Sequence, residues 1–199
     1  MTETPTQILS LEEFLKFDDG SDFLYELENG KLRVLRAESF LHGWILSSLF
    51  VFFHNYGLPI THLRLGGTEV IVPGNLVTVR VPDFMILSDA GAIALKGASR
   101  STIFSDMPVP EIVVEVVSPG RENTVRDYRH KRAQYQARGI QEYWIVDPQA
   151  EKITILTLNE WLYDEAVFTK DQAIASAFLE NLNVESYPTV AEILQMEND

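Results

Sequence analysis

The sequence predicts an α/β fold, a central mixed β-sheet flanked by helices, and three observations carry that prediction. The first is the segment 110–119, where Ile112, Val113, Val114, Val116 and Val117 form a nearly all-apolar run bracketed by Pro110 and Pro119. That is the pattern of a short strand covered on both faces. The second is the succession after it: a helical stretch from Gly120 to Arg138 with Gly139 as its stop, then a strand from Gln141 ending at Asp147-Pro148. Strand, helix, strand at this spacing is a crossover unit, which makes its two strands parallel. The third is hairpin chemistry at both ends of the chain. Asn29-Gly30 comes directly after the alternating run Phe23–Glu28, and 152–158 and 161–168 read as a terminal pair.

Ser10 and Glu13 have capping-box spacing and open a short helix to about Phe17. Lys31–Arg36 returns as the partner of the first strand. Residues 40–56 carry leucine and phenylalanine around so much of the helical circumference that the spacing predicts a core helix, stopped by Gly57. Residues 60–87 read as strands broken by Gly66-Gly67 and Pro73-Gly74-Asn75, and the run Val79–Leu87 reads as one apolar strand. Residues 88–109 read as a loop with one helical turn. Thr189 and Glu192 repeat the capping-box spacing and open a last short helix. No repeat, low-complexity tract or linker interrupts this order, so a single domain spanning 1–199, with its core at about 10–195, is the economical organisation.

Composition narrows the function classes. The chain holds 29 acidic against 16 basic residues, for a net charge of −13, which excludes a protein that coats nucleic acid in bulk. The charge is unevenly spread. Residues 121–138 hold six basic residues against Glu122 and Asp127, whereas 147–199 hold eleven acids against Lys152 and Lys170. A local basic patch on an acidic body suits contact with a polyanion at one place, and equally suits a solvated helix face. The absence of cysteine excludes disulfides and thiolate metal sites. No apolar run is long enough to cross a bilayer, and Met1-Thr2-Glu3-Thr4-Pro5 lacks the start of a signal peptide. A cytoplasmic protein with no membrane association is expected.

The chemistry concentrates on acids set in apolar strands. Glu115 has a branched aliphatic neighbour on each side, and Asp83 comes after Pro82 in the second apolar run. A buried carboxylate must be paired, protonated or bound to metal. Asp83 and Glu115, with the carbonyl of Val116, offer the hard oxygen donors that Mg²⁺ or Mn²⁺ prefers. Equally, Asp83 suits a turn, and Glu115 suits a partner for a buried arginine or lysine. Tyr128, Lys131 and Tyr135 share one helical face, which sets an ammonium beside apolar surface, or else leaves Lys131 paired with Asp127. Glu26 lies between Tyr25 and Leu27 and on alternation alone faces solvent. His42, at the start of a core helix, reads first as a capping or core group.

Taken in order, Pro82-Asp83, Glu115-Val116-Val117-Ser118-Pro119, Lys131, Tyr135 and the segment Gly139–Pro148 resemble the PD-(D/E)xK nuclease superfamily, specifically its Uma-type restriction-endonuclease family. Tyr25–Gly30 and His42 fall where that family has a glutamate-glycine hairpin and a histidine. The resemblance implies a restriction-endonuclease-like core. It makes Asp83 and Glu115 metal-binding acids and Glu26 an accessory acid. The lysine of the superfamily pattern, two residues after the second acid, is Val117 here, which points to Lys131 as the cation. The function implied is a Mg²⁺-dependent endonuclease, an endodeoxyribonuclease acting as a homodimer on DNA. The alternative is a nuclease-like scaffold that binds or oligomerises and cleaves nothing.

Overall fold

The structure, a computed structural model, describes residues 8–35, 39–182 and 186–196. Its strands form two sheets. The first runs, in spatial order, β2 (Lys31–Val34), β1 (Tyr25–Glu28), β5 (Thr78–Arg80), β4 (Glu69–Val72) and β7 (Thr102–Ile103). The second runs β11 (Leu162–Thr169), β10 (Lys152–Asn159), β9 (Glu142–Asp147), β8 (Ile112–Val116), β6 (Phe84–Ile86) and β3 (Leu63–Leu65). Parallel and antiparallel pairs mix in both, so the α/β class and the mixed strand directions are as the sequence predicts. β8 and β9 are parallel, with Glu115 opposite Ile145, and β6 runs antiparallel to β8.

Both faces of β8 are covered. On one side Val114, Val116, Trp144 and Val146 pack with Phe53 and Phe84, whose rings stack at 5.9 Å. These come from α2 (Phe40–Asn55) and β6. On the other, Val113 and Val117 pack with Tyr135, Tyr143 and Ile145 beneath the crossover helix. Alternation along β8 therefore puts Glu115 on the crossover-helix side, between Val113 and Val117.

The crossover itself is α4 (Arg121–Val125), a π-helical turn at Arg126–Lys131, and α5 (Arg132–Arg138). Gly139 closes it at φ +83°, a left-handed value that a side chain would strain. Both capping boxes form: Ser10 and Glu13 start α1 (Leu11–Leu15), and Thr189 and Glu192 start α7 (Val190–Leu194).

Four readings change. The run Val79–Leu87 is two strands in different sheets, β5 and β6, because Pro82 has no N–H for a ladder and Asp83 uses its side chain instead. Residues 88–109 hold more structure than a loop: α3 (Asp89–Leu95), capped by Ser88, and β7, parallel to β4. The short β7 is held by Thr102 and Arg100, which both donate to Glu69. Helix α2 is buried along His42, Ile45, Leu49 and Phe53 but leaves Phe40, Trp44 and Val51 exposed, so its apolar circumference is only half used by the core. A helix unmarked in the sequence, α6 (Ala177–Asn181), starts at Ser176. Arg36, the expected end of the second strand, lies outside the described residues. No helix among the described residues is long and apolar enough to cross a membrane.

Candidate active site

The link Val81-Pro82-Asp83 passes from one sheet to the other, and this places Asp83 at the seam between them. Glu26 arrives from β1 of the first sheet, next to β5. Glu115 arrives from β8 of the second, next to β6. Above both lies the π turn, whose buried residues are Asp127 and Lys131. The result is an open cleft of about 980 Å³, and its lining includes Glu26, His42, Asp83, Glu115, Val116 and Lys131. The acids Glu26, Asp83 and Glu115, with His42, Val116 and Lys131, thus reach one cleft, whereas Tyr128 and Tyr135 do not line it.

Lys131 is the hub. Its Nζ lies 2.6 Å from Glu115 Oε2, 3.6 Å from Glu26 Oε1 and 3.8 Å from Asp127 Oδ1. Burial opposes the ammonium charge, but Glu115, Glu26, Asp127 and Asp83 together raise its pKa above the ordinary lysine value. The helical-face reading of Lys131 is therefore met, and so is its pairing with Asp127: the two are parts of one cluster. Glu115 also accepts from the Tyr135 hydroxyl at 2.6 Å, so both its oxygens are engaged. Burial is the main influence on Glu115. It outweighs Lys131 and, with the neighbouring acids Asp83, Asp127 and Glu26, raises the carboxyl to about 8.

Glu26 does not face solvent as alternation suggests; it is 1% exposed, because β1 is covered on both faces. Its partner is Arg80, fully buried on β5, which donates to Glu26 at 3.0 Å, to Glu28 at 2.6 Å and to Gln134 at 2.9 Å. The Val81 N–H adds a bond at 3.2 Å. Burial alone would raise the Glu26 carboxyl, but Lys131 and Arg80, with that N–H, bring it down to about 2. Arg80 stands inside a run otherwise read as apolar, and a charge there signals a buried acid elsewhere in the chain. Asp83 accepts from the Val116 N–H at 2.7 Å, and His42 Nε2 stands 3.5 Å from the same oxygen. His42 is buried at the first turn of α2, where its backbone N–H is capped by Ser39.

The basic patch read from residues 121–138 is mostly dispersed. Arg132 pairs with Glu165 at 2.5 Å, Arg138 donates to the carbonyls of Phe104 and Met107, and Lys131 is buried. Arg121 and Arg126 remain on the cleft wall, joined by Arg33 from β2.

The π turn has its own anchor. Tyr143, fully buried on β9, donates its hydroxyl to the Asp127 carbonyl at 3.1 Å. Removing that hydroxyl in Tyr143→Phe leaves a buried carbonyl without this donor, a loss of about 1–3 kcal/mol. Tyr163→Phe removes a comparable bond, to the Ile140 carbonyl at 2.9 Å, away from the cleft. We expect similar destabilisation of both in urea titrations. Only Tyr143→Phe should weaken the protection of the Lys131 ammonium seen by ¹⁵N-lysine NMR; equal Lys131 signals in the two variants would refute the anchor.

In donor chemistry the acids suit a hard divalent ion, being oxygen ligands with no sulfur among them. Among the described residues, however, no group of three or more acids or histidines is arranged to hold an ion.

Comparison with known proteins bears on the fold and the family. A crystal structure of a protein described as a putative nuclease of the DUF820 group, from Anabaena variabilis, superposes with a TM-score of 0.65 at 16% identity, over 94% of this chain and 98% of that one. At that identity the likeness concerns the fold, which is restriction-endonuclease-like. No curated protein matches the chain. The family model described as "Putative restriction endonuclease" matches residues 11–188, nearly the whole of the described structure, and the chain therefore belongs to that family, Uma2.

Proposed function

We propose that the cleft hydrolyses phosphodiester bonds of nucleic acid, DNA in the first instance, with Mg²⁺ or Mn²⁺ bound by Asp83 and Glu115. The observation that carries this reading is the convergence of Glu26 from β1, Glu115 from β8, Lys131 from the π turn and Asp83 from the link between the sheets on one open cleft. Two carboxylates without a third ligand suit Mg²⁺, which commonly binds one or two protein carboxylates and completes its shell with water and substrate phosphate. The Val116 carbonyl is the third protein oxygen in this reading. Bound there, the ion would lower the pKa of a water and neutralise charge on the phosphoryl group.

The chain's own residues do the rest. Lys131, kept charged by four acids, supplies a fixed cation where negative charge builds on the transferring phosphoryl group. Glu26, ionised and clamped by Arg80, is a second acid against Lys131, at 3.6 Å. Tyr135 fixes the Glu115 carboxyl through Oε1, so Oε2, which Lys131 holds, is the oxygen that would serve an ion. The Val116 N–H orients Asp83.

A non-cleaving scaffold is the second reading. It is favoured by the engagement of both Glu115 oxygens by Tyr135 and Lys131. Calorimetric titration of Mn²⁺ decides between them, with wild type and Asp83→Ala each carrying a short non-hydrolysable phosphorothioate DNA strand to complete the ion's shell. The active-site reading expects a one-site isotherm that Asp83→Ala abolishes. No heat from the wild type with the strand present would leave the scaffold.

A further inference from the structure

The cleft lining holds a pairing that the crossover helix alone does not explain. Asn123, on α4, accepts from Arg126 Nη1 at 2.7 Å and from Arg33 Nη2 at 3.5 Å, with its Oδ1 as the shared acceptor. Its amide nitrogen donates to the Pro119 carbonyl at 2.7 Å, so the oxygen is committed to the two guanidinium groups. Arg33 comes from β2 and Arg126 from the π turn, two elements distant in the chain that meet at Asn123.

Two cations sharing one neutral acceptor repel each other. Each is balanced from one side: Arg33 by Glu28 at 3.7 Å and Arg126 by Asp127 at 3.1 Å. Each guanidinium has five N–H donors and uses two of its nitrogens in these contacts. Arg33 is 36% exposed and Arg126 13%, and both line the cleft that holds Asp83 and Glu115. On a chain of net charge −13 a polyanion meets repulsion over most of the surface, so a pair of convergent arginines inside the cleft is where its backbone can be held.

We propose that Arg33 and Arg126, gathered by Asn123, clamp one backbone phosphate of the nucleic-acid strand, adjacent to the phosphate presented to Asp83 and Glu115. Guanidinium groups grip phosphate through paired N–H donors in a way a lysine cannot. The clamp rests on the phosphodiesterase reading of the cleft and deepens it. It sets the strand's path across the seam from α4 to β2, and it makes the substrate a chain with a phosphate beside the scissile one, not a lone phosphomonoester.

The test is fluorescence anisotropy with the full chain and a short labelled mixed-sequence DNA, single-stranded and as a duplex, in EDTA across a salt series. Arg33→Met and Arg126→Met keep the aliphatic stem. Each should weaken binding about tenfold at low salt and lower the slope of log affinity against log salt by about one. Arg132→Met, which breaks the pair with Glu165 outside the cleft, should bind as the wild type does. Should Arg126→Met fold poorly, Arg33→Glu on the exposed strand carries the test alone, with a larger loss expected. Wild-type binding with unchanged affinity and slope in the arginine variants overturns the clamp and leaves the nuclease reading standing. No wild-type binding to either DNA overturns both the clamp and the DNA assignment, whereas the metal titration still reports on Asp83 independently.

Discussion

Lys131→Met should lower the stability of the protein by about 3–5 kcal/mol, the cost of leaving buried acids without their cation. In a chain of this size that is a fall of about 10 °C in Tm. Methionine keeps the length and apolar character of the stem, so the loss isolates the charge. Lys131 is 4% exposed and stands between Glu115, Glu26 and Asp127, and its removal leaves Arg80 and Arg126 to face three carboxylates. Lys16→Met is the contrast. Lys16 makes an equally short contact, 2.6 Å to Glu12, but both side chains are more than 70% exposed. Water already solvates that pair, and the change should stay within about 0.5 kcal/mol. Thermal unfolding by circular dichroism checks both, and an unmoved Tm for Lys131→Met would mean that the cluster is not charged as described.

Glu115→Gln should do the reverse to the same pair, abolishing function while sparing the fold. If the cleft cleaves DNA, losing this carboxylate should slow cleavage by about a thousandfold or more. Glutamine keeps the shape, its single oxygen can still accept from Lys131 while its amide nitrogen donates to the Tyr135 oxygen, and it removes the repulsion from Asp83, Asp127 and Glu26. The stability effect depends on pH, with a definite sign. Because the Glu115 carboxyl is raised in the folded protein to about 8, the fold retains a proton that the unfolded chain releases near the ordinary carboxylate value. Wild-type stability therefore falls as pH climbs from about 5 to about 8, and Glu115→Gln removes that component. Glu26 acts the other way: lowered to about 2, it supports the fold above the ordinary carboxylate value and loses that support as the pH falls towards 2. Melts in EDTA should show the Tm of Glu115→Gln gaining on the wild type between about pH 5 and pH 8. Parallel curves would refute the raised carboxyl.

Much of this site was legible in the sequence because its acids violate their surroundings. Glu115 in a valine run and Asp83 after a proline stand out locally, and helical spacing is enough to turn Lys131 toward the sheet. The residues that escaped notice are those whose meaning is supplied by distant partners. Arg80 sits in the open within Val79-Arg80-Val81, yet nothing near it in the chain announces Glu26, more than fifty residues earlier. Glu26 looks outward on alternation because a period of two assumes one covered face, and β1 has two. Arg33 belongs to the cleft only once β2 lies against α4, and Tyr143 anchors the π turn through a main-chain carbonyl that no side-chain pattern encodes. The break between β5 and β6 was marked by Pro82, but that one strand would become two in different sheets depends on pairing, which the local sequence does not carry.

The passage of the chain from sheet to sheet through Val81-Pro82-Asp83 has a consequence for the order of events in folding. One sheet brings Glu26 and Arg80, the other Glu115, and the residue joining them is itself an acid of the site. A chain with only the second sheet formed sets Lys131 against Glu115 and Asp127 but lacks Glu26 and Arg80, so the cluster is incomplete until both halves have docked. Glu26, Asp83, Glu115 and Lys131 therefore stand together only when both sheets are in place.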